Sequence, residues 1–182
     1  MRVVHLSPAT LEALATGDHA AARAASPVPL SDFVLTDPGC VATWRRRAEQ
    51  VLLTPQDAAW VTGLLVAGAS GDGGASGGEG VGEGVGEVVV GQGGFHAAPD
   101  EDGMVEIGYK VDPARRSRGH ARAAVAAMLD RARRDPEVRV VRASVSPDNA
   151  ASLAVLAPFG FVQVGEQWDE EDGLELVLER GV

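Results

Sequence analysis

A mixed α/β fold is predicted for this 182-residue chain by three observations. The second half alternates strand-like and helix-like segments. The first half reads as helices followed by a β-hairpin. Hydrophobic residues make up 45% of the chain, enough for a packed core, yet no apolar run reaches the roughly 20 residues that cross a bilayer. The length suits one well-cored domain and would cramp two. Residues 1–182 are therefore expected to form a single mixed α/β domain.

The elements follow in order. "RVVHLS" is a plausible first strand, and the alanine-rich "PATLEALATGDHAAARAA" reads as helix. "DPGCVATWRRRAEQVLL" is a second helical segment, ending near "TPQD". "WVTGLLVAG" and "EVVVGQGGF" are β-rich and flank "GASGDGGASGGEGVGEGVGE", residues 68–87. That stretch cannot bury enough apolar surface to offset its backbone entropy, so it is expected to be a flexible loop joining adjacent antiparallel strands. It matches neither dinucleotide nor P-loop glycine spacing, and its charges are acidic, which repels phosphate.

"MVEIGYKV" alternates, with Val105, Ile107, Tyr109 and Val111 on one face and Met104, Glu106, Gly108 and Lys110 on the other. Asp112 and Pro113 end that strand. "RGHARAAVAAMLDRARR" then carries Ala121, Val125, Met128, Leu129 and Ala132 at helical spacing. "VRVVRASV" is the next strand. "SPDNAASLAVLAPFGF" opens with Ser-Pro, read as N-cap and first helical residue, and stops at Pro158 and Gly160. "FVQVGEQW" and "LELVLER" close the chain as strands.

With 26 acidic and 16 basic residues, the net charge is −10. That balance disfavours nonspecific nucleic-acid binding and favours cationic partners. The N-terminus shows no apolar signal segment, so a cytoplasmic protein without a membrane association is expected. The sole cysteine, Cys40, forms no intramolecular disulfide and supplies no cysteine metal cluster; a quiet thiol is expected and no metal is implied.

Against this acidic background, "DPARRSRGHARAA" crowds Arg115, Arg116, Arg118 and Arg122 around Gly119 at a strand-to-helix junction. The first amides of a helix lack intrahelical partners and sit at the positive end of its dipole, a natural phosphate site. An ordinary helix start flanked by solvated arginines explains the local pattern equally well.

Two motifs then decide the direction. "V-x-P-x-x-R-x-x-G-x-A", spelled by Val111, Pro113, Arg116, Gly119 and Ala121, resembles the acyl-coenzyme A signature of the GNAT N-acetyltransferase superfamily. About thirty residues on, "SPDNAASLAVLAPFGF" resembles the superfamily's Asn-x-x-Ser helix followed by Gly-Phe. With "EIGYKVDP" in front, the nearest branch is the RimJ/RimL type, which acetylates protein N-termini and includes small-amine acetyltransferases.

The resemblance implies a single-domain GNAT-like fold with a mixed, mostly antiparallel sheet flanked by helices, acetyl-CoA as co-substrate and acetyl transfer to a primary amine, either a peptide N-terminus or a cationic small molecule. It implies that Arg116, Ser117, Arg118, Gly119, His120 and Ala121 hold the coenzyme A pyrophosphate. The Val111 strand would pair with pantetheine and Asn149 would contact its arm. Ser152 would lie near the thioester sulfur as proton donor, a role that many members give to a tyrosine on this helix, where this sequence has Val155 and Leu156 farther along. His120 is expected either on phosphate or facing solvent. An alkylammonium must lose a proton before attacking a thioester, and Glu106, on the polar face of the strand entering the cofactor turn, is the candidate base. Tyr109 reads as core, and the acidic run Asp169–Asp172 as a solvated turn. A monomer or homodimer fits equally. The alternatives are a silent acyl-CoA-binding regulatory domain and an interaction module that binds no coenzyme A.

Overall fold

A computed structural model describes residues 1–68, 86–170 and 173–182. These form a seven-stranded sheet in the order β1-β2-β3-β4-β5-β7-β6. Strands β1 (Arg2–Val4), β2 (Gly63–Gly68), β3 (Glu87–Phe95) and β4 (Met104–Val111) make one antiparallel half. Strands β5 (Val140–Val145), β6 (Val162–Asp169) and β7 (Gly173–Gly181) make the other. The halves meet through the parallel pair β4–β5. Helices α1 (Pro8–Thr16), α2 (His19–Ala25), α3 (Asp32–Thr36) and α4 (Pro38–Leu53) precede the hairpin; α5 (His120–Arg133) and α6 (Ala150–Leu156) follow β4 and β5.

The two faces of the sheet follow from the two-residue period of a strand. On β2, Leu65 and Ala67 join a core with Val105 and Ile107 of β4 and Ala124, Val125, Met128, Leu129 and Ala132 of α5. Leu64 and Val66, one residue out of phase, join a second core with Leu11, Leu14, Val34 and Trp44 of the N-terminal helices. Helix α5 thus covers one face and α1–α4 the other. Glu106, Gly108 and Lys110, alternating with the α5-facing residues of β4, belong to the α4 face, as the alternation in "MVEIGYKV" requires.

Several local expectations need correction. The first helical stretch is two helices, because Gly17 adopts a left-handed conformation (φ +78°) at the end of α1 and Asp18 caps α2 by accepting from the Ala21 amide. Helix α3 has no counterpart in the sequence reading; it is a five-residue turn, too short for periodicity to reveal. The buried stripe of α5 contains Ala124 rather than the expected Ala121, which is partly exposed. Ser146 and Pro147 do not start α6: its N-cap is Asn149, whose Oδ1 accepts from the Ser152 amide at 3.1 Å. The strands flanking the glycine-rich stretch are antiparallel neighbours; within the expected loop, residues 69–85 lie outside the described residues, as do 171–172 of the acidic run. Among the described residues, no helix is long and apolar enough to cross a membrane.

Candidate active site

The parallel pairing of β4 with β5 is short. It runs from Met104↔Val140 to Glu106↔Arg142 and stops. Beyond it, β4 continues to Val111 on β3 and β5 to Val145 on β7. The strands therefore part at Ile107 and Ala143, opening a wedge through the middle of the sheet. Gly91 allows β3 to stay tight against this end of β4, since a Cβ there would stand 2.1 Å from the Lys110 carbonyl oxygen.

Two cavities meet in the wedge. One, of about 730 Å³, opens between β4, the start of α5 and α6, and is lined by Val111, Arg115, Arg116, Ser117, Gly119, His120, Ala121 and Arg122 as well as Ala151 and Val155. The other, of about 490 Å³, opens on the α4 face, with Thr43, Arg46, Arg47, Gln92, His96 and Gly108 in its wall. Tyr109, Lys110, Asn149 and Ser152 line both. The two cavities thus share part of their lining where β4 and β5 part.

The larger cavity has the character of an anion site. Its turn carries Ser117 at φ +61° and Gly119 at φ +80°, and α5 starts at Gly119 without a side-chain cap. The first-turn amides are left to an outside acceptor. Of the six residues expected on pyrophosphate, Arg116, Ser117, Gly119, His120 and Ala121 line the cavity and Arg118 does not; Arg115 and Arg122, not assigned from the sequence, do. His120 is not solvent-facing: it is 7% exposed, and its Nε2 is buried without a hydrogen-bond partner. Burial follows because the ring sits on the first turn beside the stripe formed by Ala124 and Met128.

At the junction, Ser152 is partly buried on α6. The Tyr109 hydroxyl is buried without hydrogen-bond geometry to any partner. Burial pushes its phenol up from the ordinary value and outweighs the opposing pull of the nearby Ser152 hydroxyl, so the phenol keeps its proton at neutral pH. Tyr109 is more than the core residue expected from alternation.

On the α4 face, Glu106 lines neither cavity. Between it and the open space stands His96, the residue after β3. The antiparallel register sets Phe95 opposite Ile107, and one step on, the His96 amide donates to the Glu106 carbonyl at 2.8 Å. Opposed residues point to the same side. His96 Nδ1 accordingly lies 3.7 Å from Glu106 Oε2, with the imidazole side chain 44% exposed and the carboxylate side chain 20%. The ring extends along β4 over Gly108, where a Cβ would come within 2.8 Å of Nε2. Burial pushes the His96 imidazole down from its ordinary value; Glu106 opposes this, and Arg47 and Arg46 add to it.

The segment carrying His96 is held firmly. Its carbonyl accepts from Arg47 Nη1 at 2.9 Å and Gln50 Nε2 at 2.8 Å. Gln50 also donates to Asp57, whose other oxygen accepts the Ala98 amide. Arg47 is 5% exposed, and burial, with Arg46, lowers its guanidinium to about 10 against the pull of Asp57 and Glu106; it remains charged at neutral pH. Lys110 is paired with Asp37, the cap of α4. Cys40 is buried in the first turn of α4, and burial above all pushes its thiol up to about 12, leaving it protonated. Among the described residues, no group of His, Cys, Asp and Glu is arranged to hold a metal ion.

Residues 14–162 match the family model of the acetyltransferase (GNAT) domain. The chain belongs to this family. It is also similar to the uncharacterized N-acetyltransferase YjdG of Bacillus subtilis, 32% identical over 74 residues, 41% of this chain and 44% of that protein. Among solved GNAT-type structures, RimL, a ribosomal L7/L12 alpha-N-protein acetyltransferase, is 23% identical with a TM-score of 0.46, covering 52% of this chain and 63% of that one. Spermidine N-acetyltransferase from Vibrio cholerae, in complex with CoA and spermine, is 15% identical with a TM-score of 0.47, covering 52% and 60%. The chain thus spans 44% of the length of its curated relative. The family assignment rests on the domain match.

Proposed function

We propose that this GNAT-family chain is an N-acetyltransferase that moves an acetyl group from acetyl-CoA to a primary amine, in the RimJ/RimL manner, with a protein N-terminus or a small-molecule amine as acceptor. The observation that carries the reading is the lining that the two cavities share where β4 and β5 part. A two-substrate transfer needs both reactants held at one point, and the two cavities share only the short stretch bounded by Tyr109, Lys110, Asn149 and Ser152.

The residues fit acetyl-CoA on the α5 side. First-turn amides from Gly119 to Ala121 and the Arg116 side chain suit a pyrophosphate. The edge of β4 from Ile107 to Val111, released from β5, suits the amides of a pantetheine arm. Asn149 spends its Oδ1 on the α6 cap, leaving its side-chain N–H groups to donate toward that arm. Bound acetyl-CoA supplies an activated acyl thioester. Ser152, beside Tyr109, is placed to return a proton to the departing sulfur. The buried, unpartnered His120 Nε2 is a further group at the anion end.

The acceptor enters from the α4 face. Glu106 was the base expected from the sequence, and it remains a carboxylate on the correct face of β4. The test is direct: acetyl-CoA consumption against N-terminal peptides, polyamines, amino acids and aminoglycosides, alongside the melting temperature with and without coenzyme A. Turnover with at least one amine supports the reading. A coenzyme A shift without turnover on any amine favours a silent binding domain, and neither effect favours an interaction module.

A further inference from the structure

We infer that His96, with its Nδ1 on the side of the Glu106 carboxylate, is the group that takes the proton from the acceptor amine. This rests on the acetyltransferase reading above and deepens it, making Glu106 a positioning residue rather than the base.

Four observations carry the assignment. The carboxylate lines neither cavity, whereas the imidazole lines the one on the acceptor side. The ring lies between Glu106 and open space, with Nδ1 toward the carboxylate and Nε2 over Gly108. A carboxylate at Nδ1 favours the tautomer that carries its proton there and leaves the Nε2 lone pair free to accept. Gly108 provides the floor for the ring, and any side chain there would displace Nε2. Finally, the backbone of His96 is tied on both sides, its amide to Glu106 and its carbonyl to Arg47 and Gln50. A general base requires that positional precision.

In the step so assigned, the amine nitrogen attacks the acetyl carbonyl carbon of acetyl-CoA. A C–N bond forms and the C–S bond breaks. One proton of the ammonium passes to His96 Nε2 and on to solvent, freeing the nitrogen lone pair for attack. The departing sulfur takes its proton from Ser152, and the second nitrogen proton, lost as the amide forms, restores the Ser152 hydroxyl. The charged groups around the imidazole are Glu106 from β4, Arg46 and Arg47 from α4, and Asp57 behind Gln50; Lys110, farther along β4, is paired with Asp37. With the arginines beside it and part of its ring buried, the imidazole is neutral at pH 7 and ready to accept.

The experiment uses the full chain with the acceptor amine panel above. His96→Gln keeps the backbone bonds and removes the basic nitrogen, and His96→Asn serves as a second variant should the first fold poorly. Expected is a fall of about 10²-fold in kcat/KM with the acetyl-CoA melting shift retained, the deficit shrinking as pH rises toward the amine's own pKa. In wild type, the acid limb of kcat/KM should coincide with the His96 titration followed by histidine-ring NMR. Glu106→Gln removes the charge that raises the imidazole, so it should move both to lower pH while reducing the plateau. Wild-type turnover with His96 variants within about threefold of it would overturn the His96 assignment and leave the acetyltransferase reading standing. Loss confined to Glu106→Gln would do the same. No wild-type turnover on any amine would overturn the reading and this assignment together.

Discussion

Gly108→Ala isolates the position of the His96 ring from its chemistry. The new Cβ would stand 2.8 Å from Nε2 and 3.6 Å from Cδ2, against 3.4–4 Å for ordinary contact, so the ring must give way by more than half an ångström at its tip. It has room, because the side chain is 44% exposed. Moving it off its preferred rotamer costs about 0.5–1.5 kcal/mol. Replacing a strand glycine whose φ lies outside the left-handed region returns about 0.4–1 kcal/mol through the unfolded chain. The two nearly cancel, leaving a net stability change within about 1 kcal/mol, or about 2–4 °C in a domain of this size.

Catalysis has no such compensation. The ring leaves its seat over Gly108 and Nδ1 moves off the Glu106 carboxylate, so kcat/KM should fall about tenfold or more. Gly165 provides the control, since a Cβ there meets nothing within 4 Å; Gly165→Ala should leave rates unchanged. Initial rates at saturating acetyl-CoA and melting curves with and without coenzyme A decide the matter. Wild-type kcat/KM in a folded Gly108→Ala protein would refute the placement of the ring at the reacting nitrogen. Lost coenzyme A binding would refute the separation of the two cavities by function.

Gly119→Val puts a β-branched residue at φ +80°, which costs about 1–3 kcal/mol and places the side chain where the turn faces its ligand; the apo melting temperature should fall and the coenzyme A shift should vanish. Tyr109→Phe removes a buried hydroxyl without hydrogen-bond geometry to a partner, so urea denaturation should show stability changed by no more than about 1 kcal/mol, whereas Ser152→Ala should cut turnover about tenfold while its backbone amide still donates to the Asn149 cap of α6. Burial lowers the folded-state imidazoles of both His5 and His96, so the stability they contribute is complete above the unfolded value near 6.5 and is lost as pH falls toward the folded values, at no more than about 1.4 kcal/mol per pH unit for each. Urea midpoints between pH 8 and 5 should show this decline, and His5→Asn should flatten it.

The alternation in "MVEIGYKV" gave away the two faces of β4 because sheet burial imposes a strict period of two, and Gly119 marked the left-handed turn that opens α5 beside the larger cavity because few residue types tolerate that backbone. The hairpin was legible for the same reason. The pairing of His96 with Glu106 was also encoded and went unread. A turn around "DEDG" sets paired numbers to a constant sum, so Phe95↔Ile107 obliges His96 to oppose Glu106; a register argument would have found it, where a search along a single strand did not. Other features depend on tertiary contact. His120 looked solvated because its neighbours in sequence are polar, and only the packing of α5 buries it. The cap of α6 was expected at Ser146, and Asn149, three residues on, holds it instead; propensity alone ranks the two equally. Arg47 is one of three consecutive arginines, and only the depth of α4 against the sheet shows which is buried.

The convergence of these residues follows from connectivity. Strands β4 and β5 are parallel, so the chain must cross over between them and α5 begins at the outgoing end of β4. Helix α6 begins at the outgoing end of β5, which is the same end of the sheet. An uncapped helix start, an Asn-capped helix start and two parting strand ends are thereby brought together without long loops, where open α/β sheets generally bind ligands. The opposite face is supplied by the N-terminal half, whose long helix α4 packs against the sheet with Arg47 under His96. The α5-side cavity is built largely from the continuous stretch Tyr109 to Arg122 and leaves a compact motif; the α4-side cavity draws on α4, β3, β4, β5, α6 and β7 and leaves none. Acceptor preference should therefore respond to substitutions at Thr43, Arg46 and Gln92, which line only the α4-side cavity, with acetyl-CoA affinity unaffected.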